Sequence, residues 1–338
     1  MSEKVSIYDI ARHLNISPAT VSYVINGVDK VSKKTKEQVL KAIDELGYVP
    51  NFNARAVATG KTHLLGVLLP VDNVSIAFLQ NPFYVEFLGG FEKGIENYNY
   101  DICIGVYKKE TDVKEWVKKR GFDGLAMVGS YDKETLDSIK DMSIPIVLTD
   151  EYSGFNKDCF NLVKSSDEDG MYQATKYLID SGFKRIGFVG NPKKYMVDSY
   201  RYKGYLKALE EAKIKYKDEY LYETGATFDE GYEIGETIIS NVQVDAIVCS
   251  GDILAIGIMK KIMVLGYDVP NDLSIIGYDD IQDSNFVYPG LTTVHQDIAE
   301  KGFRSAQILI DALENDRKGT LEINLKPYLV KRYSVKEK

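Results

Sequence analysis

The first fifty residues carry apolar positions at helical spacing in three short runs, each introduced by a serine. In the first run Ile7, Ile10, Ala11 and Leu14 fall at i, i+3, i+4 and i+7 on one helical face, and Ser6 with Asp9 gives a capping-box start. This run ends near His13, ahead of a polar turn at Asn15. Ser17 is placed to cap a second helix, with Pro18 in a first turn where a missing N–H costs nothing. Val21, Val24 and Ile25 share its inward side, which leaves Pro18, Ala19, Thr20, Ser22 and Tyr23 facing outward. Ser32 opens a third helix through Val39, Leu40, Ile43 and Leu46. Such spacing alone fits a bundle packed only for stability as well as it fits DNA reading. The small-residue outer face of the second helix, with Lys33, Lys34, Lys36 and Lys41 on and around the third, favours a helix-turn-helix whose second helix enters a major groove.

After Gly47 the pattern lapses. Pro50 blocks continuation of the third helix, and Asn53 to Ala58 is helix-capable but too short to be stable alone in water. The stretch reads either as a flexible linker or as a hinge that becomes helical when two copies meet on DNA. Gly60-Lys61-Thr62 is not a phosphate loop, because Arg55 stands where that motif needs its first glycine. From Leu64 onward short apolar strands alternate with amphipathic helices, which predicts parallel sheets built from βαβ units. Strands are expected near 65–70, 102–106, 124–128 and 145–149, and again near 185–190, 246–250 and 273–278. Helices near 167–181, 201–212, 229–239 and 253–265 separate the second series, so two lobes are expected.

Charge sharpens this division. Residues 1–60 hold eight basic against six acidic side chains, an excess of +2, and this leaves −10 for the rest of a chain whose formal charge is −8. A basic head on an acidic body suits nucleic-acid binding at one end. No apolar run approaches the roughly 20 residues needed to span a bilayer, and the start of the chain reads as a capped helix, so a cytoplasmic protein is expected. Cys103, Cys159 and Cys249 are few and widely separated in strand-like contexts, which predicts reduced core thiols and neither disulfides nor zinc. No cofactor is expected.

Ligands of open α/β sheets bind beyond the carboxyl ends of the strands, and here those ends carry Asp150, Asp252 after Gly251, and Asp279-Asp280. One such acid alone is more often a cap. Several together, with Arg201, Gln296, Phe83 and Phe228, form a candidate site for a neutral polyol held by hydrogen bonds and ring stacking. The three histidines, His13, His63 and His295, sit in no nucleophile or metal motif, and the chain has no dinucleotide glycine fingerprint, so an enzyme is not expected.

Several segments together resemble the lactose-repressor (LacI) family of transcription regulators. They are Ile7 to Ala11 with Ser17 to Asn26, Gly47-Tyr48-Val49-Pro50-Asn51 with Ala54-Arg55, Arg201 to Tyr205, Val269 to Asp280, and Leu291 to Val294. The resemblance runs from Val5 to about Tyr333. It implies an α/β chain with an N-terminal helix-turn-helix head and hinge helix, followed by a two-lobed periplasmic-binding-protein-like domain with parallel sheets. The boundaries implied are 1–48 for the head, 49–61 for the hinge and 62–338 for the body. Lobe one would hold 62–163 with 296–325, and lobe two 164–294 with 326–338. A homodimer on a pseudo-palindromic double-stranded operator is implied, repressing carbohydrate-use genes under a sugar or sugar-phosphate effector. The alternatives are a nucleobase effector, a phosphorylated carrier protein as partner, or a sugar-binding transport protein.

By the resemblance, DNA contacts fall at Ser6, Ser17, Pro18, Ala19, Thr20, Ser22, Tyr23, Asn26, Lys33, Asn51, Ala54, Arg55 and Val57. Effector contacts fall at Ser75, Phe83, Asp150, Arg201, Phe228, Asp252, Asp279 and Gln296. Four departures matter. Tyr23 stands where many members have a guanine-reading arginine, and Val57 stands where leucine often wedges the minor groove. Gly251 replaces an asparagine of the effector site, and the segment Val74 to Gln80 is longer than the usual loop there.

Overall fold

A computed structural model describes residues 5–25, 30–48, 60–70, 81–154, 157–241, 243–315 and 317–336. The sequence expectations at Asn26, Asn51, Ala54, Arg55, Val57 and Ser75, and hence for the hinge helix, lie outside these residues. The chain divides into two compact units at Thr62/His63.

The first unit holds α1 (Ile7–Leu14), α2 (Pro18–Ile25) and α3 (Lys33–Leu46). The serines act as their spacing predicts. Asp9 accepts from both the Ser6 amide and the Ser6 hydroxyl, at 2.9 and 2.6 Å, while Ser17 and Ser32 accept from the amides of Thr20 and Thr35. Those bonds satisfy donors that a helix start leaves open. Asn15 and Gly47 end α1 and α3 in the left-handed conformation. Ile10, Ala11, Val21, Val24, Val39 and Ala42 form the buried core of this unit. Leu40 departs from the expectation. It is 47% exposed, because Val39 and Ala42 already fill the inward stripe of α3.

The second unit is built on two sheets. In chain order the first series is β1 (Leu64–Pro70), α4 (Pro82–Ile95), β2 (Asp101–Tyr107), α5 (Val113–Arg120), β3 (Gly124–Val128), α6 (Lys133–Ile139), β4 (Ile146–Thr149) and β5 (Asn161–Ser165). The second is α7 (Asp167–Asp180), β6 (Ile186–Val189), α8 (Met196–Glu211), β7 (Leu221–Tyr222), α9 (Phe228–Asn241), β8 (Ala246–Cys249), α10 (Asp252–Val264), β9 (Ser274–Asp279), α11 (Asp283–Phe286) and β10 (Thr292–His295). The chain then runs through α12 (Ile298–Glu314), β11 (Glu322–Leu325) and β12 (Tyr328–Val330).

One sheet has the order β11-β5-β4-β3-β1-β2, all parallel; the other is β12-β10-β9-β8-β6-β7, parallel except for the β10/β12 pair. Every residue of β3, β4, β6 and β8 is buried, as expected for parallel strands covered on both faces. The backbone passes from one sheet to the other after β5, after β10 and after β11, so short connections on a common side join two lobes. The ends of β4, β9 and β10 lie at that junction.

Two local expectations are corrected. Helix α8 begins at Met196, five residues before the start read from the sequence at Arg201. Its first turn is held by the buried Asp198, which accepts from the amide of Asn191 at 2.7 Å and has no capping pattern to betray it. Of the cysteines only Cys249 is a buried core thiol, and burial pushes its thiol pKa up; Cys103 is half-buried and Cys159 is exposed in a short turn before β5.

Candidate functional site

Two surfaces carry the residues singled out by sequence. On the first unit, Ala19 and Tyr23 of α2 are exposed, while Pro18, Thr20 and Ser22 are partly so. The inward Val21 and Val24 anchor the helix from behind. The Ser17 and Thr20 hydroxyls lie 2.8 Å apart at its start. Lys33 is exposed in the first turn of α3, and Lys30 places its ammonium 5.7 Å from the centre of the Tyr23 ring. Tyr23 thus offers a flat ring and one hydroxyl beside a cation. This is a face of small side chains with phosphate-seeking charge at its edge.

On the second unit, the strand-end residues converge on a buried ionic cluster. Asp150 follows β4 with φ +57°, and Asp279 ends β9 with φ +116°. Positive φ is unusual for a side chain with a Cβ and is tolerated where the surroundings enforce it. Lys301 of α12, fully buried, donates to both Asp150 oxygens at 2.7 and 2.8 Å and to the Gln296 carbonyl oxygen. The Gln296 amide donates in turn to Asp279. Arg201 donates through Nε to Asp167 at 2.7 Å and through Nη1 to the Ser250 carbonyl, lies 3.5 Å from Asp279, and stacks 3.7 Å above the Tyr278 ring. Tyr152 completes the circuit by bonding to Asp150 and Asp167.

The circuit joins the lobes. Asp150, Lys301 and Gln296 come from the end of β4, from α12 and from the β10–α12 connection, whereas Arg201, Asp167 and Asp279 come from α8, α7 and β9. Any motion of one lobe against the other must alter the Gln296–Asp279 and Tyr152–Asp167 bonds.

Electrostatics set the state of the cluster. Burial pushes the Asp279 carboxyl up to about 6 against the opposing pull of Arg201 and Gln296. Burial also raises Asp150, although Lys301 opposes it. For Arg201 burial disfavours the charge, but Asp167 and Asp279 outweigh it and hold the guanidinium firmly protonated. Because Asp279 sits above its ordinary 3.8, the folded protein binds the proton more tightly than the unfolded chain. Its ionisation therefore costs stability as pH rises from about 4 to about 6. The expected result is a contribution to folding stability that is lost as pH rises from about 4 to about 6 and is absent in Asp279→Asn, as read by chemical denaturation across pH.

Of the expected effector contacts, Asp150, Arg201, Asp279 and Gln296 meet in this cluster, and Phe83 at the start of α4 lies with its ring centre 5.8 Å from the Lys301 ammonium. Phe228 opens α9 with 36% of its surface exposed, its ring packed on Tyr232. Asp252, also expected as an effector contact, has a full set of internal partners. It is wholly buried, and its carboxylate accepts from the Ile281 amide, the Ser284 hydroxyl at 2.6 Å and the Thr293 hydroxyl. Asp252 is thus a scaffold that ties α10 to the loop after β9 and to β10, with burial and then Asp279 raising its carboxyl to about 8. Gly277 is part of that scaffold, since a Cβ there would lie 2.0 Å from an Asp252 oxygen. A Cβ at Gly251 would lie 3.5 Å from the second oxygen of Asp279, an ordinary contact distance.

Lys301, Asp167 and Tyr152 were not singled out by sequence. Among the described residues no group of histidine, cysteine, aspartate and glutamate could hold a metal ion, and no helix is long and apolar enough to cross a membrane.

Two family models match the chain. Residues 6–51 match the family described as bacterial regulatory proteins, lacI family, and residues 175–335 match a periplasmic binding protein-like domain. The HTH-type transcriptional repressor PurR of Mannheimia succiniciproducens is 32% identical over 341 residues, covering 98% of this chain and 99% of the relative. PurR of Haemophilus influenzae strain Rd is also 32% identical, covering 98% of each. Among solved structures, the lac repressor dimer bound to operator and the anti-inducer ONPF superposes with a TM-score of 0.85 at 24% identity, covering 98% of this chain and 99% of that one. A LacI family regulator from Enterococcus faecium with bound ribose gives a TM-score of 0.71 at 25% identity, covering 81% of this chain and 99% of that one.

Proposed function

Since the chain belongs to the LacI family and is a DNA-binding transcriptional repressor, we propose that its operator affinity is set by a nucleobase-type effector bound in the interlobe cluster. The observation that carries this reading is the circuit of Asp150, Lys301, Gln296, Asp279 and Arg201, whose cross-lobe bonds a ligand would replace. A planar heterocycle with ring N–H and C=O groups suits it. The Asp279 carboxylate accepts a ring N–H, the Gln296 amide serves either polarity, Arg201 donates to a ring carbonyl or nitrogen, and Phe83 supplies an apolar face.

The choice of a nucleobase over the sugar expected from sequence rests on the relatives that match end to end, which carry the name PurR. A sugar remains the second reading, favoured by the ribose bound to the Enterococcus faecium regulator. A thermal-shift screen of nucleobases against sugars separates them, because a ligand selective for the folded state raises stability by mass action. Stabilisation by a nucleobase and not by sugars supports the first reading; the reverse overturns it.

At the DNA end the protein works as a homodimer in the cytoplasm on a pseudo-palindromic operator, with α2 of each copy reading one half-site. Ser6, Ser17, Thr20, Ser22 and Lys33 position the helix through phosphates, while Ala19 and Tyr23 meet base edges. Tyr23→Ala is expected to change the bases preferred at one position of each half-site. Selection from randomised duplexes checks this, and identical selected sequences for both proteins would count against it.

A further inference from the structure

Lys301 does more than neutralise Asp150. An ammonium has three N–H donors, and all three are used here, two on the Asp150 oxygens at 2.7 and 2.8 Å and one on the Gln296 carbonyl oxygen. A counter-charge needs only the carboxylate. The third bond fixes the Gln296 carboxamide, because an oxygen turned toward Lys301 leaves the amide N–H groups to face Asp279, to which they donate. Lys301 thus acts from lobe one, through the connection after β10, on the end of β9 in lobe two. Its ammonium also lies 5.8 Å from the centre of the Phe83 ring. Asp150, Gln296 and Phe83, three of the expected effector contacts, therefore surround a wholly buried cation that belongs to the chain itself.

We propose that Lys301 is a built-in occupant of the effector site, a positioning residue that holds the two lobes together when no small molecule is bound. This rests on reading the cluster as that site, and it adds how the site is regulated. Charge gives the reason. Asp150 of lobe one approaches Asp167 of lobe two closely enough for the Tyr152 hydroxyl to bond to both. Arg201 serves Asp167 and Asp279. Without Lys301 the Asp150 carboxylate would have no bonded cation among the described residues, and like charges across a junction that water hardly reaches favour separation.

The occupant has a consequence for control. An effector that takes the Gln296 carbonyl oxygen must break its bond to Lys301, so effector and ammonium exclude each other at the carboxamide. Their exchange releases the Gln296 amide that faces Asp279, and it is this differential contact that shifts the equilibrium between lobe arrangements.

Fluorescence anisotropy of the full chain on a duplex selected from randomised DNA, with no nucleobase or sugar present, tests this with ethylammonium as probe. Lys301→Ala deletes the ammonium and leaves room for a two-carbon amine. The expected result is an operator Kd shifted at least about fivefold for the active fraction, and returned toward the parent value by ethylammonium but not by ethanol. Asp150→Asn with Lys301→Met strands no charge, so it carries the test if Lys301→Ala does not fold. It is expected to show the shift without the reversal, because methionine fills the space. An operator Kd equal to the parent's in either folded variant overturns the proposal and leaves Lys301 a structural counter-charge. So does a shift in folded Lys301→Ala that ethylammonium fails to reverse or that ethanol reverses equally, and so does reversal in the double variant, which would place the amine elsewhere. A parent whose operator Kd no nucleobase changes removes the nucleobase reading alone, since none of these measurements contains one.

Discussion

Arg201→Ala is expected to abolish the effector response and to lower the free energy of unfolding by about 3–5 kcal/mol, while the folded fraction still binds operator. The guanidinium is 95% buried between Asp167 and Asp279, so its removal leaves two carboxylates without their counter-charge in a place water does not reach. Breaking one side of a buried ion pair is costly because the partner's desolvation is no longer offset. Arg201 also donates to the Ser250 carbonyl and covers the Tyr278 ring. Lysine cannot make those contacts together, because it lacks the planar fork, so Arg201→Lys is expected to recover some stability but not the response. Denaturant titration reads the first effect, and operator binding with and without effector reads the second. A normal effector response in Arg201→Ala would remove the residue from the site.

Lys301→Met is expected to cost a similar amount, about 3–5 kcal/mol, and the double variant Asp150→Asn with Lys301→Met much less. Lys301 is the sole cation bonded to Asp150 in the described structure, and Asp150 is already raised by burial. Methionine keeps the shape of the stem and deletes only the charge, which strands the carboxylate. Asparagine then removes the stranded charge. A double-mutant cycle by chemical denaturation isolates the coupling, since the two side chains are in direct contact. If the single variant is no less stable than the double, the pair is not a buried counter-charge system.

These two residues also mark where the sequence is readable and where it is not. Arg201 stands in the segment Arg201 to Tyr205, and Asp150 and Asp279 stand at the ends of strands with plain apolar patterns, so local reading and family resemblance both reach them. Lys301 is flanked by Glu300 and Arg304 in an amphipathic helix, where a charge normally marks a solvated face. Only tertiary packing turns it inward, toward an aspartate 151 residues earlier in the chain. Asp167 hides for a similar reason, since an acid in a first helical turn is usually a dipole partner. Asp252 shows the opposite case. Its position at a strand end promised a ligand contact, but its hydroxyl partners Ser284 and Thr293 lie 32 and 41 residues further on, and nothing near Asp252 announces them. The head was the most legible part, because helix caps and a 3.6-residue stripe are local signals, and even there Leu40 fell outside the stripe.

Control of operator binding by a nucleobase is tested most directly by fluorescence anisotropy of the full chain on a duplex selected from randomised DNA, with and without saturating adenine, guanine, hypoxanthine or uracil. At least one of these is expected to change the operator Kd roughly 5- to 150-fold, and Asp279→Ala is expected to remove the change. An operator Kd unaltered by every nucleobase would contradict the assignment.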